Sequence, residues 1–165
     1  MREIDLKTEH ILNPFAMFKN GGGLITVGRP DSYNTMTIGF GTVGTVWGKP
    51  IATVYVREER YTYEFIEREP YFTVSLYGEE LRDAMRICGT ESGRDGDKAA
   101  KAGLTPVFDG DAVYFEGAKV VLCCKKIYRQ MLDPDSFVDE GLHKHYPEHD
   151  YHMVYYGEIV KAFVE

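Results

Sequence analysis

The stretch GFGTVGTVWGKPIATVYVR, Gly39 to Arg57, decides the fold. Its first six residues fit G-x-G-x-x-G, the spacing with which dinucleotide-binding loops bring backbone against a pyrophosphate. That chemistry requires a strand before the glycines, a helix directly after them to receive the phosphate, and an acidic residue about 20 positions on. Here Thr45, Val46, Trp47, Gly48, Lys49 and Pro50 follow, and β-branched residues, a glycine and a proline leave no room for the first turns of a helix. Gly48, Lys49 and Pro50 read as a turn, and Ile51 to Arg57, rich in β-branched and aromatic residues, as a strand. The glycines therefore lie between two strands, where they let a strand bend or let backbone approach something flat and bulky.

Working outward, extended segments dominate: Gly23 to Arg29, Asn34 to Phe40, Ile51 to Arg57, Tyr71 to Tyr77, Ala112 to Glu116, Lys119 to Gln130 and Tyr151 to Val164. Helices are short, over Tyr63 to Arg68 with Thr62 as N-cap, Glu79 to Ile87 ending at Gly89, and Gly96 to Ala102 ending at Gly103. No internal repeat or linker interrupts them. The pattern predicts one domain over residues 1–165 in the α+β class, mainly β, built on an antiparallel barrel.

Charge narrows the partners. The chain has 19 Lys and Arg against 26 Asp and Glu, a net charge of −7, and no basic run that would form a stripe, which argues against nucleic acid and anionic membranes. No stretch approaches the ~20 apolar residues of a membrane span, and the opening MREIDLKTEH lacks the apolar centre of a secretion signal, so a cytoplasmic location is expected. Cys88, Cys123 and Cys124 are odd in number and read as buried, reduced thiols.

Two polar clusters carry chemistry. In VREERYT, Arg57, Arg60 and Thr62 stand at the start of a helix, where guanidinium groups, a hydroxyl and free N–H groups make an anion site suited to phosphate. The same residues also suit a structural reading, with Arg57 and Arg60 paired to Glu58, Glu59 or Glu64. In GTESGRDGDK, Thr90, Ser92, Gly93, Arg94 and Lys98 offer further donors to that anion, or form a solvated turn between helices.

With these blocks in view, YNTMTIGFGTVGTVWGKPIATVYVREERYTYEFIE, FTVSLY, CGTESGRDGDKAAKAGLTP and YPEHDYHMVYYGEI resemble, in order and spacing, the flavin reductase-like proteins of the FMN-binding split-barrel superfamily, which include flavoredoxin. The likeness runs from Leu24 to Ile159. It implies a six-stranded antiparallel Greek-key split barrel with short peripheral helices, a homodimer, and one FMN per subunit near the dimer interface. Carried over residue by residue, it implies that Asn34, Thr35, Met36, Thr37 and Ile38 line the flavin ring and that Val54 to Val56 run alongside. It further implies that Arg57, Arg60, Tyr61 and Thr62 approach the phosphate and ribityl chain, and that Ser92, Gly93 and Lys98 add phosphate or interface contacts. Backbone N–H groups from Met36 to Gly39 are candidates for the pyrimidine end of the ring, and Trp47 either reaches the ring face or packs in the core.

Four histidines, His143, His145, His149 and His152, crowd one segment with the spacing H-x-H-x3-H-x2-H. Such a set suits zinc or iron if the loop folds back, a lid over substrate, or a plain surface loop. No metal is assigned, since the resembled family is not defined by one. For any catalytic use, His149 and His152 are the candidates. Three functions follow: an oxidoreductase moving a hydride from NADH or NADPH to bound flavin, a flavoredoxin-like electron carrier reduced by a protein partner, or a metal-binding or purely structural barrel without flavin.

Overall fold

The computed structural model describes residues 1–5, Phe18 and residues 22–165. Of the opening MREIDLKTEH, only the first five lie within the described residues. One antiparallel sheet organises the described chain. Its strands are β1 (Arg2–Glu3), β2 (Gly23–Arg29), β3 (Ser32–Ile38), β4 (Gly41–Val46), β5 (Lys49–Arg57), β6 (Tyr71–Tyr77), β9 (Ala118–Met131) and β10 (His152–Val164), while β7 (Pro106–Asp109) and β8 (Ala112–Phe115) form a separate hairpin. The order in the large sheet is β3-β2-β6-β9-β10-β5-β4, with β1 added on β10. The path thus begins and ends on β3 and β4, which follow each other in the chain through Gly39 and Phe40 yet do not pair. That unpaired junction is the split in the barrel.

The long strands β9 and β10 make the closure possible. Their pairing shifts register between Tyr156 and Gly157 and again between Ile159 and Lys161, irregularities that increase local bend and twist. Inside lies the main core, where Ile25, Val54, Val56, Phe72, Leu122 and Tyr155 are all almost fully buried. A second apolar layer joins Leu24, Met85, Cys88 and Phe115 beneath the helices.

All seven strands read from the sequence are present, with ends that differ by at most two residues; β3 starts two residues earlier, at Ser32, and stops at Ile38. The described residues hold three more strands, β1, β4 and β7, so the six-stranded expectation counts too few, although the class is the expected one. Gly41–Val46 is itself a strand, because pairing with β5 from Gly41↔Val54 to Val46↔Lys49 satisfies backbone that its glycines alone do not favour. The turn is Trp47–Gly48 rather than Gly48 to Pro50: φ is positive at both residues, 54° and 69°, as the two-residue hairpin matching strand twist demands. Trp47 accordingly stands at an exposed tip against Tyr128 and Tyr156, neither in the core nor near the cavity described below.

The helices also shift. Helix α1 (Tyr61–Arg68) is preceded by Arg60 in an extended conformation, so Thr62 is an internal residue and not the cap. Its hydroxyl is taken by Asn34 Nδ2 at 2.8 Å, while Tyr61 packs edge-on to Phe65 one turn later. A 3₁₀ turn at Glu79–Leu81 leads into α2 (Arg82–Thr90), which runs through Gly89 and is docked on β3 by the Thr37 hydroxyl donating to the Met85 carbonyl at 2.5 Å. The short α3 (Lys98–Lys101) is capped by Asp97, which accepts from the Ala100 N–H at 3.0 Å.

Candidate functional site

The pleat of β3 divides the residues expected along one ligand. Asn34, Met36 and Ile38 point one way and Thr35 and Thr37 the other, since successive side chains alternate across a strand. Thr35 is 1% exposed and occupied internally, donating to the Ile25 carbonyl at 3.0 Å with the Thr26 hydroxyl also 3.0 Å away; Thr37 holds α2. Ile38 and Val56 fill the core. Of the five consecutive positions, Met36 is half-buried and borders the cavity described next, while the buried Asn34 is engaged with Thr62. Because β3 ends the sheet, its outer backbone edge is also free of strand partners among the described residues.

Between β3, the start of α1 and the loop after α2 lies a cavity of about 130 Å³, bordered by Met36, Arg60, Tyr61, Thr62, Ser92, Gly93 and Lys98, with Glu59 and Glu91 also on its rim. Sequence neighbours assemble it. Gly93 lies so close to β3 and α1 that a Cβ there would stand 2.2 Å from Asn34 Oδ1 and 2.9 Å from Tyr61 Cδ1. Arg94 ties the loop down, donating to the Glu59 carbonyl at 2.9 Å and to Glu64 at 2.5 Å, with its guanidinium 5.0 Å from the Tyr61 ring centre. Ser92 closes the turn by accepting from the Arg94 N–H at 3.2 Å.

Lys98 is the unusual group. Only 6% exposed, its ammonium donates to the carbonyls of Cys88 at 2.9 Å and Glu91 at 3.1 Å. It makes no ion pair with a described carboxylate; Glu91, the nearest acid to act on it, is held by Lys101 at 2.7 Å. Burial pulls the Lys98 pKa below its ordinary value, and the neighbouring Arg60 pushes the same way. Arg60 itself touches a carboxylate only distantly, Glu59 at 3.8 Å. Two cations facing one small cavity beside the N–H groups at the start of α1 form a donor set that fits a phosphate-sized anion. The volume is below the ~300 Å³ at which whole-ligand pockets begin, so the anion's remaining body must lie outside it.

Arg57 goes elsewhere, and with a different partner than Glu58, Glu59 or Glu64. Its guanidinium donates to the Asp150 carboxylate and, at 2.9 Å, to the His145 carbonyl, and it lies 5.6 Å from the Tyr146 ring centre. The sequence gives little sign of this, because the partners are 88 and 93 residues away. Through these contacts Arg57 clamps the segment between β9 and β10 beside the split. There His152 lies opposite Arg57 across the β5–β10 pairing, shares a 3.0 Å hydrogen bond between Nδ1 and the Tyr146 hydroxyl, and packs on Phe40. Burial first, then the charge of Arg57, lowers its pKa from 6.5 to about 4, so the ring is neutral at ordinary pH. His149 sits on an exposed turn with φ of 55°. Among the described residues, no three His, Cys, Asp or Glu side chains gather as metal ligands do. His143 is instead 2.9 Å from the Tyr151 hydroxyl and His145 stands edge-on to Phe40. The buried thiols are pushed up, Cys88 and Cys123 to about 11 by burial, and stay protonated.

The barrel, its split and the phosphate-sized cavity beside it coincide with a family match: the sequence model of the flavin reductase like domain fits residues 15–163. The chain belongs to the flavin reductase like family. No curated protein matches it. Among solved structures, the flavin reductase like chain is similar to the flavoredoxin of Desulfovibrio vulgaris (Miyazaki F), with 23% identity and a TM-score of 0.68 over 100% of this chain and 77% of that one. An FMN-binding protein from Thermus thermophilus gives 19% identity and a TM-score of 0.69 over 100% and 81% of the two chains. The NADH:FAD oxidoreductase SgcE6 of Streptomyces globisporus gives 17% and 0.65 over 87% and 74%. At these identities the likeness is one of fold, and it supports the split-barrel architecture.

Proposed function

We propose that this chain, as a single domain, binds FMN and acts as an oxidoreductase that accepts a hydride from NADH or NADPH. The observation that carries the reading is the pair Arg60 and Lys98 facing a phosphate-sized cavity against the free edge of β3, Arg60 meeting Glu59 only at 3.8 Å and Lys98 making no ion pair with a described carboxylate. When bound, the flavin supplies the hydride chemistry, and the protein supplies binding, orientation and electrostatics. Lys98, Arg60 and the start of α1 hold the phosphate, Asn34 and Met36 border the chain leading from it, and the β3 backbone from Met36 to Gly39 offers N–H groups toward the split. His152, neutral and fixed by Tyr146, is placed at the split to contact the donor without adding charge.

A homodimer in the cytoplasm completes the reading. The support for the homodimer is an apolar face in which Phe40, Trp47, Tyr128, Val138 and Leu142 are all at least 41% exposed, joined through Tyr55 and Tyr156. No described helix is long and apolar enough to cross a membrane. The test is equilibrium dialysis of the purified chain against FMN, followed by anaerobic addition of NADH or NADPH while the visible spectrum is recorded. One FMN per chain and bleaching of its absorbance are expected. A chain that ignores FMN removes the reading, and FMN uptake without bleaching by either nucleotide transfers it to an electron carrier served by a redox protein.

A further inference from the structure

Lys98 is buried like a core residue yet borders open space on two sides. One is the phosphate-sized cavity, and the other is an adjoining hollow of about 530 Å³ that shares Tyr61, Gly93 and Lys98 with it. Two of the three ammonium N–H groups are taken by the Cys88 and Glu91 carbonyls, at 2.9 and 3.1 Å, so the third is left for a ligand oxygen. An anion seated between Arg60 and Lys98 therefore lies against a nitrogen whose other directions are already fixed. We propose that Lys98 is a site of acylation by acyl phosphates, and that this modification closes the cavity to phosphate-bearing ligands.

This inference rests on the anion site of the flavin reading and needs no flavin. In an acyl phosphate one bridging oxygen separates the acyl carbon from phosphorus. A phosphoryl group held by Arg60 and the start of α1 thus sets that carbon beside Nζ, with the rest of the acyl group toward the hollow. The ammonium proton that neither carbonyl holds passes to a phosphoryl oxygen, and the lone pair left in its place faces the acyl carbon. Attack forms the C–N bond and breaks the bond from that carbon to the bridging oxygen. A second proton follows to the departing phosphate, so Lys–NH₃⁺ and the acyl phosphate dianion become a neutral amide and H₂PO₄⁻. Burial and Arg60, which lower the Lys98 pKa, ease the first proton transfer. Cys88 also borders the cavity, but its thiol, pushed up to about 11 by burial, stays protonated and is the poorer nucleophile. Of the two carboxylates on the rim, Glu91 is engaged by Lys101 and Glu59 lies 3.8 Å from Arg60. The amide keeps one N–H for the carbonyls but loses the charge, and with it the charge-assisted bond to phosphate.

The experiment treats the purified chain, dialysed into buffer free of phosphate and flavin, with acetyl phosphate and follows acetylation of each lysine by peptide mass spectrometry. It is run with and without added inorganic phosphate or FMN, and again on Arg60→Ala. Lys98 should be acetylated about tenfold or more faster than the exposed Lys119, Lys125 and Lys144. Phosphate or FMN should slow Lys98 alone, and Arg60→Ala should slow it about tenfold with the other three unchanged. Acetic anhydride, which lacks the phosphoryl group, should modify the exposed lysines first. The chain acetylated at Lys98 should bind FMN about ten- to a hundredfold more weakly and riboflavin as before. Lys98 acetylated no faster than the exposed lysines, or at a rate that neither phosphate nor Arg60→Ala changes, overturns the inference, while FMN uptake by the unmodified chain leaves the flavin reading standing. Selective, phosphate-sensitive acetylation of a chain that binds no FMN supports the inference and removes the flavin reading.

Discussion

Replacing Lys98 by methionine separates phosphate recognition from support of the fold. The substitution keeps the chain length and removes the charge together with the donors to the Cys88 and Glu91 carbonyls. Each buried carbonyl left short of a donor costs about 1–3 kcal/mol, but the folded state no longer has to desolvate an ammonium that is 6% exposed. These effects oppose each other, so unfolding of the unliganded chain in urea should move by no more than about 2 kcal/mol. Binding should move much further, because a charge-assisted hydrogen bond is worth about 1.5–3 kcal/mol, or roughly ten- to a hundredfold in affinity. Only a ligand with the phosphate feels the loss. Titration followed by quenching of flavin fluorescence should therefore show FMN weakened by that factor and riboflavin unchanged. Raising the pH toward the lowered pKa of the ammonium should weaken FMN in the wild type and leave the variant's FMN affinity flat. Equal weakening of FMN and riboflavin would refute the reasoning, since it would mean that Lys98 acts only by holding the loop.

Arg60→Ala should weaken FMN by about tenfold or less, because the side chain is half exposed and screened by salt, and Arg57→Ala should leave FMN affinity within about twofold while exposing the segment before β10 to limited proteolysis. Reversal of that order would exchange the roles of the two arginines. Gly93→Ala should destabilise by about 1–3 kcal/mol in thermal unfolding, since the new methyl would meet Asn34 Oδ1 at 2.2 Å; an unchanged Tm would show that the loop yields freely. His152 binds its proton less readily when folded, with a pKa of about 4 against 6.5, so the unfolded chain protonates first as pH falls through that window and stability is lost. Relative to His152→Gln, the wild type should lose about 2–3 kcal/mol between pH 7 and pH 4, measured by urea unfolding, and parallel profiles would refute the burial of the neutral ring.

The strands were legible because their signal is local: β-branched and aromatic residues at seven stretches, closed by turn residues. β4 escaped because glycine and threonine carry little propensity, and its pairing with β5 supplies what composition does not. The hairpin turn moved by one residue because Trp47, a bulky residue, adopts a positive φ that sequence preference disfavours. At the cavity, the blocks that contain Arg60, Tyr61, Thr62, Ser92, Gly93 and Lys98 do converge, and their order along the chain was visible. What each side chain does there was less so. Thr62 reads as a cap by its position, yet Asn34, far away in sequence, takes its hydroxyl; Arg57 reads as a phosphate ligand by its neighbours, yet Asp150 takes its charge. In each case a long-range partner decides between two locally equivalent roles. The pleat acts similarly on β3, where a run of five candidate residues leaves one, Met36, bordering the cavity and four elsewhere.

Arg57, Arg60 and Lys98 follow one another along this edge, with Asp150 paired to Arg57 and Glu59 3.8 Å from Arg60. Arg60 lowers the pKa of Lys98 on one side and of His152 on the other, so one guanidinium acts on both the cavity and the split. Arg57, nearer to His152, acts more strongly on it but is balanced by Asp150. An anion held between Arg60 and Lys98 offsets the positive field at both ends. It favours the charged form of Lys98, which tightens the grip on the anion, and it relieves part of the pressure that keeps His152 unprotonated. Coupling of this kind is reciprocal: whatever occupancy of the cavity does to the imidazole, protonation of the imidazole does to affinity in the cavity. Burial and the charge of Arg57 act on His152 more strongly than Arg60 does, and neither depends on the cavity, so the ring stays neutral near pH 7 in either case. An anion bound there would therefore strengthen its own grip without charging the histidine that stands at the split.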